Sequence, residues 1–212
     1  MFLGSEKRGI IMLGLPSRTE ISKPIYKKDL LLRFNGTPAQ KQKFIDEIEN
    51  IKISNELSER SLSIPAGNNI KGIFVIKVQI KRQDISQSTI EELFDLIKQK
   101  IIIIFSFGEY IKLAIKESKI FLSNWKDSGY LLPIEGYNLD EVWKSYVERI
   151  GNLTVSTEQS LEESISKAID AEKLEMEIQT LEKKMRNTKT PSKRFEIYNQ
   201  ILSLKKKKER IL

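Results

Sequence analysis

The 212-residue chain has no cysteine and no histidine. Those two zeros exclude a disulfide framework, a thiolate nucleophile, a Cys/His zinc site and an imidazole base. Any catalysis would have to use carboxylates, lysines, arginines, hydroxyls or an oxygen-ligated metal. No apolar run approaches the ~18 residues of a membrane span. The longest block, Ile101–Phe105, is soon followed by Glu109. The first residues lack the apolar core of a secretory signal, so a cytoplasmic protein is expected. There is neither a GxxxxGK[ST] loop nor a GxGxxG turn after a strand, and no cofactor is expected.

What is present is charge and aliphatic bulk. Charged residues make up 31% of the chain, and 36 Lys+Arg against 29 Asp+Glu give a formal charge of +7. Apolar residues make up 40%, enough for a real core.

Residues 1–11 read as a detached N-terminal extension, with Met12 a plausible alternative start. Residues 12–152 read as an α+β domain. A short helix is expected over 27–34. A second is expected over 38–50, where Thr37 caps, Pro38 takes the first position and Gln40 reaches back. Short strands are expected at 51–54 and 61–64. Residues 73–81 form the clearest strand. Ser88-x-x-Glu91 reads as the cap of a helix over 89–98, and Ile101–Phe107 as a central strand. These three make a βαβ unit. Tyr110–Lys116 alternates as an antiparallel strand, and Lys119–Ser123 adds another. Asn138-x-x-Glu141 opens a helix bearing Leu139, Val142, Trp143, Tyr146, Val147 and Ile150 on one face. The fold class is therefore a mixed β-sheet with packed helices, with Trp125 and Trp143 in its core.

After residue 157, aromatics and glycine nearly vanish. Ser156-x-x-Gln159 reads as a helix start. Leu174, Ile178, Leu181 and Met185 repeat at heptad spacing. Thr190-Pro191 restarts a helix whose seam is Ile197, Ile201, Leu204 and Ile211, with Lys208 in the missing place. Residues 157–212 are read as an antiparallel αα-hairpin, a short coiled coil. Phe195, Tyr198 and Leu202 form an extra stripe that needs its own cover, and they are the candidate partner-binding residues. Residues 158–187 carry net charge −3 and residues 188–212 net +6. Lys193, Arg194, Lys205, Lys206, Lys207 and Lys208 are candidates for weak, non-specific contact with nucleic-acid phosphates. Their bland reading is a solvated face pairing with the acidic first arm.

One further spacing carries chemistry. Nucleases of the PD-(D/E)xK class place an acid, sometimes Gln, two residues before a Lys on a core strand. Gln79 and Lys81 fit that spacing, but Glu47 and Asp84 are poor substitutes for the acid required on a neighbouring strand.

The chain resembles the prokaryotic family catalogued as domain of unknown function 4391. The resemblance rests on Leu15-Pro16-Ser17-Arg18-Thr19-Glu20-Ile21, on Lys43-Phe44-Ile45 through Ile51, on Ile76–Lys81, Trp125 and the charged helical tail. Its most specific part is Leu132-Pro133-Ile134-Glu135-Gly136-Tyr137-Asn138-Leu139-Asp140-Glu141-Val142. It covers about residues 12–212 and supports Met12 as a first residue. The family carries no assigned activity and no catalytic residues to map. Its members resemble neighbours of helicase and DNA-methyltransferase genes in restriction-like loci. The resemblance thus implies a non-enzymatic accessory or adaptor protein of a DNA-processing or anti-phage complex, its arm binding a helicase or methyltransferase component. A metal-dependent nuclease and a structural homodimer with paired arms are the alternatives.

Overall fold

Lys77 and the isoleucines around it set the architecture: a run that is apolar on both faces forms a strand covered on both sides. A computed structural model describes residues 13–153 and 161–211. The expected N-terminal extension (1–11) and the Ser156/Gln159 helix start lie outside the described residues. Two compact units divide between Asn152 and Leu153.

In chain order the first unit contains β1 (Glu20–Ile25), α1 (Lys27–Leu31), α2 (Pro38–Glu47), β2 (Ile48–Ser58), α3 (Glu59–Leu62), β3 (Gly72–Ile80), α4 (Gln87–Leu96), β4 (Ile101–Phe107), β5 (Tyr110–Lys116), β6 (Ile120–Leu122), β7 (Lys126–Asp127) and α5 (Leu139–Gly151). The strands form one sheet in the order β1-β2-β3-β4-β5-β6, with β7 also pairing β5. Only β3 and β4 are parallel, joined through α4; all other described pairs are antiparallel.

The pleat sends alternate residues to opposite faces. Ile76, Val78, Ile80, Ile101, Ile103 and Phe105 pack with Leu30, Phe44, Ile90, Leu93 and Phe94 from α1, α2 and α4. The intervening Val75, Ile102, Ile104, Leu113 and Ile115 are buried as well. They point to the other face, where α5 packs against β3, β5 and β6. All six expected α5 residues, Leu139, Val142, Trp143, Tyr146, Val147 and Ile150, are buried. Asn138 caps this helix by accepting the Glu141 N–H, and Asn152 ends it in a left-handed conformation (φ 49°).

Three local expectations are corrected. The second helix stops at Glu47 and not at residue 50, because Ile48 is already extended and begins β2. Residues 61–64 are not a strand: Ser58 and Ser61 cap each other's backbone and start α3. The cap of α4 is Ser86, which accepts the Thr89 N–H, in place of Ser88.

The second unit is a pair of antiparallel helices, α6 (Leu161–Asn187) and α7 (Pro191–Ile211). No described helix is long and apolar enough to cross a membrane.

Candidate functional site

The arm closes its own seam. Ile178, Ile197 and Ile201 are buried together, with Leu181, Met185 and Leu204 packed around them. The turn is held by Thr188, whose N–H and hydroxyl reach the Met185 and Lys184 carbonyls, and α7 starts at Pro191 with the Arg194 N–H on Thr190 O. Lys208, in the vacant seam place, donates to Glu175 at 2.7 Å, and Lys205 donates to Glu182 at 3.1 Å. The hydrogen bond from Lys208 holds the Glu175 carboxyl below the ordinary carboxylate range.

These pairs divide the six basic candidates. Lys205 and Lys208 are engaged across the hairpin, whereas Lys193, Arg194, Lys206 and Lys207 are exposed and form no ion pair with any described residue. Phe195, Tyr198 and Leu202 remain exposed, at 65%, 48% and 39%. They follow one another at spacings of three and four along one stripe of α7. Arg194 and Lys206 stand one turn from Tyr198 and Leu202, giving that stripe a basic rim.

At the end of β3, Gln79 and Lys81 of the nuclease spacing each have partners within the protein. Gln79 Oε1 accepts the Ser106 hydroxyl at 2.9 Å. Lys81 donates its N–H to the Glu47 carbonyl and its Nζ to the Ile45 carbonyl. The Glu47 side chain is buried, and its Oε2 accepts the N–H and hydroxyl of Ser86, fastening the end of α2 to the cap of α4. Asp84 lies exposed just after the bend that follows the strand. Among the described residues, no three His, Cys, Asp or Glu side chains converge as a metal site.

The same strand carries a feature that the sequence reading passed over. Lys52 of β2 stands directly opposite Lys77 of β3, which lies beside Ile104. One row on, Asn50 faces Gln79, beside Ser106. Both lysines are half-buried, and neither pairs with an acid among the described residues. Burial, and then the charge of Lys52, push the Lys77 ammonium below the ordinary lysine range. Strand alternation places Lys77 and Gln79 on one face from sequence alone. Adding Lys52 requires the register, which two bulges in β2 displace.

A cavity of about 450 Å³ opens beside the start of β4, lined by Phe94, Ile97, Lys98, Lys100, Lys116 and Glu117. Its charges are mostly matched internally. Glu117 Oε2 receives both Lys100 Nζ and Trp143 Nε1 at 2.7 Å, Lys100 lies over the Trp143 ring, and Lys116 pairs with Asp95. This network anchors α5 to the sheet.

The two most distinctive sequence stretches also build structure. Thr19 is buried, donates to the Pro16 carbonyl and receives the Asn55 amide, while Arg18 binds the Leu62 carbonyl at the end of α3. In the second stretch, the Asp140 carboxylate receives the N–H groups of Asn68, Asn69 and Ile70. Glu141 reaches back to the Tyr137 N–H, and Glu135 pairs with Arg149.

Residues 13–209 match the family described as Domain of unknown function (DUF4391). No curated protein and no solved structure matches the chain.

Proposed function

The chain belongs to the DUF4391 family, and from that premise we propose that it is a non-enzymatic accessory protein of a DNA-processing or anti-phage complex that uses its helical arm to bind a protein partner. One observation carries this reading. The hairpin satisfies its own seam, yet α7 holds Phe195, Tyr198 and Leu202 out as a second apolar stripe. Two aromatics and a leucine one turn apart are the composition of an interface anchor, since rigid rings bring large contact area at small entropic cost. The rim of Arg194 and Lys206 favours a partner whose own apolar groove is bordered by acids.

The test starts with the full-length chain carrying Phe195→Glu, Tyr198→Glu and Leu202→Glu together, changes on an exposed face that leave the seam intact. Sedimentation of wild type and variant establishes the oligomeric state. Co-expression with candidate helicase and DNA-methyltransferase partners should give a complex that the triple variant fails to form. A wild-type dimer that the variant dissolves, with no complex in either case, would replace this reading by the homodimer with paired arms.

A further inference from the structure

We propose that the sheet face around Lys52, Lys77, Gln79 and Ser106 is a phosphate-binding site. Like charges directly opposite on neighbouring strands repel, and a half-buried ammonium without a counter-ion loses hydration without compensation. Lys52 and Lys77 combine both costs, and no described acid relieves them. The cavity beside β4 shows the contrast, because Lys100 and Lys116 each hold a carboxylate there.

The neighbouring groups have the same polarity. Ser106 donates to Gln79 Oε1, which fixes the amide and leaves both hydrogens of Nε2 to donate. The two ammonium groups and this amide form a set of donors on an apolar floor that includes Val75 and Ile104, both buried. Such a set suits a ligand that is all acceptor and carries more than one negative charge, as phosphate does. Lys77, Gln79 and Ser106 lie in the C-terminal halves of the two parallel strands, the end at which open α/β sheets receive ligands. The phosphate could come from a nucleotide-sized molecule or from a nucleic-acid backbone, and the site is independent of the arm's proposed role.

The experiment uses full-length protein with two probes, inorganic pyrophosphate read by thermal shift and a fluorescent single-stranded oligonucleotide read by anisotropy at several salt concentrations. Pyrophosphate should raise the melting temperature of wild type but not of Lys77→Gln. Oligonucleotide affinity should fall about tenfold in Lys77→Gln and in Lys52→Gln, the loss expected for one charge-assisted contact. Both variants should fold, since each removes a like-charge neighbour, and Lys77→Gln should melt no lower than wild type without ligand. Loss of the pyrophosphate shift alone assigns the site to small phosphorylated molecules. Loss of oligonucleotide affinity alone assigns it to a backbone. Lys206→Gln/Lys207→Gln should leave the pyrophosphate shift intact, which separates this site from the arm. If wild type responds to neither probe, or Lys77→Gln responds to both as wild type does, the proposal is wrong.

Discussion

Asp140 Oδ1 accepts the backbone N–H of Ile70 at 2.8 Å, across 70 residues of chain. Its Oδ2 takes the N–H of Asn68 at the same distance. One carboxylate in the first turn of α5 thereby orders the loop before β3. Gly67 is required there, because a Cβ would lie 2.1 Å from Asp140 Oδ1 and 2.7 Å from the Asp140 nitrogen. Asp140→Ala should cost about 1–2 kcal/mol, since the partly buried Ile70 N–H and the exposed N–H groups of Asn68 and Asn69 lose a charged acceptor. Gly67→Ala should cost at least as much. Chemical denaturation of the full chain measures both, and a loss below about 0.5 kcal/mol for Asp140→Ala would show that the loop is held by other means.

Tyr146 presents the opposite case. Its ring is fully buried in α5's packed face, and its hydroxyl has no hydrogen-bond partner among the described residues. Burial first, and Glu135 second, hold its phenol protonated well above the ordinary tyrosine range. Removing an unpaired buried hydroxyl removes its desolvation cost. Tyr146→Phe should therefore leave stability unchanged or raise it by about 1 kcal/mol, measured by the denaturation midpoint. A loss of more than about 1 kcal/mol would mean that the hydroxyl has a partner in solution.

How far the sequence carried depends on the range of the determining interaction. The α5 face was legible because six apolar residues at helical spacing overdetermine it, and the hairpin because two heptad seams flank Thr190-Pro191. Ile48 and Ile51 suit a helix face and a strand face equally, so the boundary at Glu47 depends on pairing with Ile80 and Val78. The β2 bulge at Ile53/Asn55 shifts its phase, so that Ile51 joins one core face while Asn55 turns to Thr19. Nothing local encodes that shift. The same reason hid Lys52 opposite Lys77: cross-strand partners are a property of register, which a single strand's pattern cannot supply.

The Glu175–Lys208 pair gives the arm an acid-side pH dependence. The native carboxyl titrates below its ordinary value of 4.5, mainly through the hydrogen bond from Lys208. A depressed carboxyl contributes stability that is fully present above about pH 4.5 and is lost as pH falls through the native value, while Lys208 stays charged throughout. Glu175→Gln should thus lower the melting midpoint of the arm's helical circular dichroism at pH 7, and the difference from wild type should shrink toward zero near pH 3. The carboxylate is exposed, so the effect is small and weakens with salt. A difference that persists unchanged at pH 3 would trace to the amide's packing instead of the ion pair.

The basic residues of α7 should separate into two classes when DNA binding is titrated against salt. Lys206 and Lys207 are exposed and unpaired among the described residues, whereas Lys205 and Lys208 each bind a glutamate of α6. Neutralising a phosphate contact lowers the salt slope by about one unit. Lys206→Gln with Lys207→Gln should lower it by about two while leaving helicity intact. Lys205→Gln with Lys208→Gln should change the slope less and the arm's melting more, because it unpairs Glu182 and Glu175. Ile201→Asp is the control that destroys the seam, since it buries a charge beside Ile178 and Ile197. Equal slopes for wild type and Lys206→Gln/Lys207→Gln would make the C-terminal end of this helix a solvated face only. Any DNA affinity would then fall to Lys193 and Arg194 at the other end of the helix or to Lys52 and Lys77, and the arm's role would rest on Phe195, Tyr198 and Leu202.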